Sequence, residues 1–167
     1  SYNSSVDLVG ESGSGKSTII KLIMGLIKYD KGNILVDGKE LSELNLSSFY
    51  DNVSYVSQEA PIFDGTLREN LVFDKKISDE EIIKVLKYVC LDKFYEKLED
   101  GLDTELGEKG VRMSGGERQR VALARLFFDE SQIIILDEAT SAMDNITEKE
   151  VMQNIVKQLD NKTLIVI

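Results

Sequence analysis

Gly10-Glu11-Ser12-Gly13-Ser14-Gly15-Lys16-Ser17 fits the pattern G-x-x-x-x-G-K-[ST] without a mismatch. Glycines at these positions let a backbone curl so that successive amides point inward at phosphate oxygens. Lys16 is long enough to reach β- and γ-phosphates, and the Ser17 hydroxyl suits a magnesium ion. A helix opening at this point, through Ser17 and Thr18, adds its positive end to the same anions. The blander alternative is a glycine-rich turn between a strand and a helix. The order of elements argues for the phosphate loop, which needs a strand before it and a helix after it. Residues Gly10 to Thr18 are therefore the expected triphosphate-binding set.

A second acidic pair lies far downstream. Ile133-Ile134-Ile135-Leu136 is a short apolar run ending in Asp137 and Glu138. A buried strand aimed at the phosphate loop delivers Asp137 to the magnesium shell. Glu138 then lies beside the γ-phosphate, where it can orient or deprotonate an attacking water. Taken alone, the same residues also read as an ordinary strand ending in solvated acids.

Composition narrows the remaining chemistry. The 167 residues include no histidine and one cysteine, Cys90. Within this chain that excludes histidine triads, His-ligated metals and thiolate zinc cages. It also excludes an internal disulfide, in keeping with a reducing compartment. Thirty acidic against twenty basic side chains give a formal charge of -10. That balance disfavours nucleic-acid backbones and anionic lipid as direct partners. No apolar run is long enough to cross a bilayer.

Several elements must position these groups. Val6 to Val9 reads as a strand, Ser17 to Ile27 as an apolar-periodic helix, and Gly32 to Gly38 and Val53 to Val56 as further strands. From Thr66 to about Phe128 the pattern is helical, with a capped start at Ser78. Ile133 to Leu136 returns to a buried strand, Asn145 to Leu159 is an amphipathic helix, and Thr163 to Ile167 is a last strand. Short strands without alternation, with helices between them, predict an α/β fold built on a parallel sheet. Glu99, Asp100 and Asp103 read as a solvated turn, Tyr88, Phe94 and Tyr95 as helix packing, and Cys90 as core.

Between the two chemical segments lies Val111-Arg112-Met113-Ser114-Gly115-Gly116-Glu117-Arg118-Gln119-Arg120. Ser114 with Glu117 three residues later is a capping box, and on its own this stretch is simply a helix start. Set between a phosphate loop and Ile-Leu-Asp-Glu, it resembles the LSGGQ signature of ATP-binding cassette (ABC) ATPases. Met113 stands in place of the usual leucine and Glu117 in place of the usual glutamine. The resemblance extends over most of the chain. Gln58 is similar to the Q-loop glutamine that touches magnesium. Ser141 to Asp144 is similar to the D-loop, which lies at the dimer interface. Pro61 to Leu71 and Thr104 to Gly110, the latter like an X-loop, are similar to stretches of multidrug and peptide exporters.

That resemblance implies a P-loop NTPase (RecA-like) core with an inserted α-helical subdomain. Residues 1–60 and 129–167 would form the core, and residues 61–128 the helical subdomain bearing the signature. It implies ATP and Mg²⁺, with Ser17, Gln58 and Asp137 at the metal and Glu138, Lys16 and Gln58 in catalysis. Ser114, Gly115, Gly116 and Glu117 would serve the ATP of a second nucleotide-binding domain packed head to tail. A transmembrane domain would be the other partner, placing the chain at the cytoplasmic face of a membrane. Family members also carry an adenine-stacking aromatic upstream of the phosphate loop and a histidine after the last strand. Tyr2 is too close to Gly10 to be given the aromatic role. The expectation is a cassette lacking its first strands and its histidine-bearing end. Two other readings share these motifs: a soluble ABC-type ATPase of DNA repair, chromosome structure or translation, and a nucleotide-binding regulatory module without turnover.

Overall fold

The computed structural model describes residues 4–167, so Tyr2 lies outside the described residues. The chain runs β1 (Ser5–Asp7), α1 (Lys16–Ile23), β2 (Leu35–Val36), β3 (Lys39–Glu40), α2 (Leu46–Tyr50) and β4 (Val53–Ser57). It continues through β5 (Gly65–Thr66), α3 (Leu67–Val72), α4 (Asp79–Tyr88), α5 (Asp92–Tyr95), β6 (Glu105–Leu106) and α6 (Gly115–Arg125). The last three elements are β7 (Ile133–Asp137), α7 (Asn145–Gln158) and β8 (Thr163–Val166).

Four strands form one parallel sheet in the order β1-β8-β7-β4. Its central strand β7 is apolar without alternation because both faces are covered: Ile134, Ile135 and Leu136 are at most 1% exposed. One hydrophobic core then joins the sheet to the helices. Leu67 and Leu71 of α3, Ile82 and Leu86 of α4, and Val121 and Leu123 of α6 cluster with Ile134 and Leu136 of β7 and Ile155 of α7. The result is a mixed α/β fold of the P-loop NTPase kind, with a parallel core sheet and helical insertions.

Parallel pairing puts the Gly10 to Ser17 loop, Gln58 and the Asp137–Glu138 pair at one end of the sheet. The phosphate loop leaves the end of β1, Gln58 follows β4, and Asp137 closes β7. Crevices outside the carboxyl ends of parallel strands are where α/β sheets bind ligands.

Four details depart from the sequence expectations. Gly32 to Gly38 is not a strand of the main sheet. Leu35–Val36 instead pairs antiparallel with Lys39–Glu40. Asp37 and Gly38 between them have φ of 50° and 79°, the left-handed pair that a two-residue hairpin demands. The first helix ends at Ile23 rather than Ile27, because Gly25 turns the chain at φ 65°. The stretch from Thr66 to Phe128 is not helical throughout: β5 and β6 pair antiparallel around α3 to α5. The short helix α2, capped by the Asn45 side chain on the amides of Ser47 and Ser48, was not anticipated.

Where α6 gives way to β7, Asp129 is a structural keystone. Its carboxylate accepts hydrogen bonds from Ser54 Oγ at 2.7 Å and the Ser131 amide at 2.7 Å, and Lys162 donates to its carbonyl. Burial opposes its ionisation, yet these bonds and the nearby Lys162 charge hold the carboxyl below its ordinary value. A depressed carboxyl stabilises the fold above its unfolded pKa, and that contribution disappears as pH falls through the folded pKa. Asp129→Asn should therefore lower stability at pH 6 by about 1 kcal/mol, a few degrees of Tm, and the difference should shrink as pH falls below the ordinary carboxylate range and through the folded pKa. Thermal melts from pH 6 downward check it, and a Tm loss that does not shrink as the carboxyl is protonated contradicts the assignment.

Candidate active site

The chain is held to the sheet just before the phosphate loop, as the Leu8 amide donates to the Val166 carbonyl at 2.7 Å. The Ser14 amide then closes a turn on the Glu11 carbonyl at 3.1 Å. Gly13 and Gly15 adopt φ of 81° and 94° with open space around them. Conformation, not crowding, requires glycine at these two positions. Gly15 also brings no side chain to cap α1, whereas Asn45, Thr66, Ser78, Ser114 and Asp144 cap α2, α3, α4, α6 and α7. The first-turn amides of Lys16, Ser17 and Thr18 thus meet no competing side-chain acceptor at the cap. Lys16 Nζ lies across the loop and donates to the carbonyls of Gly10 and Glu11, the second at 2.8 Å, and to Ser14 Oγ at 3.4 Å. The exposed backbone of Ser12 and Gly13 forms the outer rim.

Register places the acidic pair beside this loop. Asp7 and Leu136 both lie opposite Val166, one on either side of β8. The root of the loop and the end of β7 are therefore two strand spacings apart, about 10 Å. Ser57 lies directly opposite Asp137, so Gln58 leaves β4 next to that carboxylate. Tyr55 Oη donates to Asp137 Oδ2 at 2.5 Å, a contact across 82 residues of sequence. Burial first, then the bond and charge of Asp137, push the Tyr55 phenol up to about 12. Glu138 turns away from the strand in the left-handed region at φ 52°, with its amide on the Ile167 carbonyl at 3.0 Å. A non-glycine residue there carries backbone strain, and Glu138 is exposed at the end of β7.

The segment at α6 packs against the D-loop of the same chain. Ser114 Oγ accepts from the Glu117 amide at 3.1 Å, and Glu117 Oε1 accepts from the Ser114 amide at 2.9 Å. This reciprocal cap ties back the carboxylate that stands where glutamine is usual. Close approach requires glycine at Gly116 and leaves little space at Gly115. A Cβ on Gly116 would lie 2.9 Å from the Ala142 carbonyl oxygen, and one on Gly115 would lie 3.2 Å from Ala142 Cβ. At the end of the Ser141 to Asp144 loop, Asp144 accepts from the amides of Ile146 and Thr147 and from Thr147 Oγ1. The Thr147 amide foremost, with its hydroxyl and the Ile146 amide, holds the Asp144 carboxyl below its ordinary value.

Magnesium suits the oxygen donors available here: the Ser17 hydroxyl, the Asp137 carboxylate and the Gln58 amide oxygen. Among the described residues no cluster of three or more acids and cysteines gathers to form a protein-only cage. A single carboxylate and a hydroxyl, completed by phosphates and water, is how such sites hold this ion. Two residues at the site escaped the sequence reading. Tyr55 became visible only through strand register. Gln119, 2% exposed, sits on the buried stripe of α6 with Gly116 and Leu123. A glutamine at a core-facing helical position was the signal that could have flagged it.

The family profile described as ABC transporter matches residues 1–141. The chain belongs to the ABC transporter family. Similar relatives include the ATP-dependent lipid A-core flippase of Pasteurella multocida, 45% identical over 164 residues. That match covers 97% of this chain and 28% of the flippase. The mitochondrial iron-sulfur clusters transporter ATM1 of Candida albicans is 44% identical over 151 residues, covering 90% of this chain and 20% of the transporter. Among solved structures, a bacterial Atm1-family ABC exporter with ATP bound superposes at a TM-score of 0.83 with 34% identity. This chain is covered to 99% and that exporter to 29%. The chain thus spans less than a third of the length of these relatives and corresponds to the ATP-binding, ATP-hydrolysing domain of the exporter branch. Among the described residues no helix is long and apolar enough to cross a membrane.

Proposed function

We propose that this domain powers an exporter, coupling Mg·ATP hydrolysis in a head-to-tail pair of such domains to substrate movement through a transmembrane domain. In this reading residues 1–60 and 129–167 form the ATP-binding core and residues 61–128 the helical subdomain, at the cytoplasmic face of a membrane. The observation that carries it is the single sheet edge at which the phosphate loop, Gln58, Asp137 and Glu138 converge. The flippase and the iron-sulfur transporter are nearly equal in identity to this chain yet are named for unrelated cargo. Cargo choice therefore belongs to the membrane domain.

Each residue has a role in that reaction. The curled amides from Gly10 to Thr18 and the Lys16 ammonium bind the triphosphate and hold its γ-phosphoryl in place. Ser17, Asp137 and Gln58 would hold a magnesium ion, which would supply positive charge against the phosphates. Tyr55 keeps the Asp137 carboxylate turned toward the crevice. Glu138 accepts a proton from the attacking water as its oxygen bonds to the γ-phosphorus, and the bond to ADP breaks. Ser114, Gly115 and Gly116 offer a hydroxyl and exposed amides to the γ-phosphate held by the facing domain. Ser141 and Asp144 shape the loop between the two sites.

A substitution in the signature separates this arrangement from a self-contained site. In the full-length protein, Ser114→Arg should keep ATP affinity within about twofold, lower turnover at least about tenfold and abolish ATP-dependent dimers. Calorimetry, phosphate release and size-exclusion chromatography read the three quantities. Lost affinity with dimers intact would place Ser114 in its own chain's site and overturn the head-to-tail reading. Turnover stimulated by DNA or ribosomes would favour a soluble ATPase instead.

A further inference from the structure

Gln119 connects three segments that are remote in sequence. Its Nε2 donates to the Gln58 carbonyl at 3.2 Å, across 61 residues, and to Ser141 Oγ at 3.0 Å, across 22. Its Oε1 accepts from the Ala142 amide at 2.9 Å. The amide has one allowed orientation, because the Gln58 carbonyl can only accept and the Ala142 amide can only donate. At 2% exposure the side chain has no role as a surface contact. A buried amide with both ends engaged belongs to a fully satisfied polar network, which fixes one geometry among the segments it joins.

Those segments carry the parts of two different ATP sites. One helical turn before Gln119, Gly115 and Gly116 lie against Ala142, with no room for a Cβ at Gly116. The D-loop is tied in turn to the backbone of Glu138, since the Ser141 amide donates to the Glu138 carbonyl at 3.3 Å. On the other side, Gln58 follows the strand whose Ser57 lies opposite Asp137. The signature turn therefore reaches the D-loop both directly at Ala142 and through Gln119, and it reaches the Gln58 segment through Gln119.

We propose that Gln119 is a positioning residue that holds the signature turn, the Gln58 segment and the D-loop as one unit. This rests on the head-to-tail reading, in which the signature turn contacts the partner's nucleotide while Glu138 acts on its own. Engagement of the partner's ATP at Ser114, Gly115 and Gly116 is then passed through Gln119 to the Gln58 backbone and, by Ser141, to Glu138. Gln119 touches no nucleotide. Its loss should leave binding intact and remove the dependence of one site on the other.

The test uses the full-length protein with Gln119→Met, which keeps side-chain length and removes all three bonds. Nucleotide affinity, measured by calorimetry in a Glu138→Gln background, should stay within about twofold, while kcat falls about tenfold. The Hill coefficient for ATP should exceed 1 in the parent and fall to about 1 in the variant, and a parent value of about 1 also overturns the proposal. Adding Ser141→Ala to Gln119→Met should change kcat by less than about twofold, because both act through the same bond. A Gln119→Met protein with parental kcat and Hill coefficient overturns the proposal, as do additive losses in the double variant. If Gln119→Met does not fold, the exposed Ser141→Ala variant decides. A reduced Hill coefficient supports the tie and an unchanged one overturns it. A full-length parent without ATP hydrolysis overturns the ATPase reading along with the tie, whereas an active parent with parental-like variants overturns the tie alone.

Discussion

Glu138→Gln in the full-length protein binds ATP with affinity within about twofold of the parent and turns over at least about 100-fold more slowly, the range that removing a general base produces. The substitution changes one atom and no shape. Glutamine occupies the left-handed region as readily as glutamate, so the φ of 52° and the amide bond to the Ile167 carbonyl are kept. Nothing at the phosphate loop is altered, because Glu138 lies at the end of β7 and the loop hangs from β1. What disappears is the carboxylate that takes the proton from water. If hydrolysis is the step that reopens the head-to-tail pair, ATP-bound dimers accumulate and elute as such in size-exclusion chromatography. Unimpaired steady-state phosphate release from this variant would remove Glu138 from the catalytic assignment.

The parts of this site that could be read from sequence are those whose chemistry is written in consecutive residues. A phosphate loop needs its glycines, lysine and serine in one unbroken order, and Gly10 to Ser17 shows that order directly. The same holds for four apolar residues ending in Asp137 and Glu138. Contacts made by tertiary register leave no such trace. Tyr55 reaches Asp137 across 82 residues, and nothing near either residue announces the other. Gln119 was quoted within the signature segment, but its importance lies in partners at Gln58, Ser141 and Ala142. The fold followed the same division. The long strands β4 and β7 and the helices α4 and α7 were legible because periodicity accumulates over a run of residues. Asp37 and Gly38 read as turn residues bounding a strand, but the antiparallel partner that makes them a hairpin is only Lys39–Glu40, too short and too polar to read as a strand. The β5–β6 pair involves only Gly65–Thr66 and Glu105–Leu106, too short for any pattern to build up.

Lys16→Ala separates binding from folding. All the contacts of Lys16 Nζ lie within its own loop, on the carbonyls of Gly10 and Glu11 and on Ser14 Oγ, and the ammonium is exposed. Removing it strands no buried partner, so Tm should move by no more than the change of about 0.5 kcal/mol usual for surface positions. The effect on ATP is of a different size. The ammonium would exchange those loop carbonyls for phosphate oxygens, and a hydrogen bond to a charged group contributes about 1.5–3 kcal/mol. At 1.4 kcal/mol per factor of ten, affinity should fall roughly 10- to 100-fold. Turnover falls with it, whereas Glu138→Gln loses turnover alone, so the pair divides the site into a part that holds the triphosphate and a part that acts on it. Calorimetric titration with ATP in the presence of magnesium measures the difference. Parental affinity in Lys16→Ala would mean that the amides of the loop suffice and that the ammonium is not aimed at the phosphates.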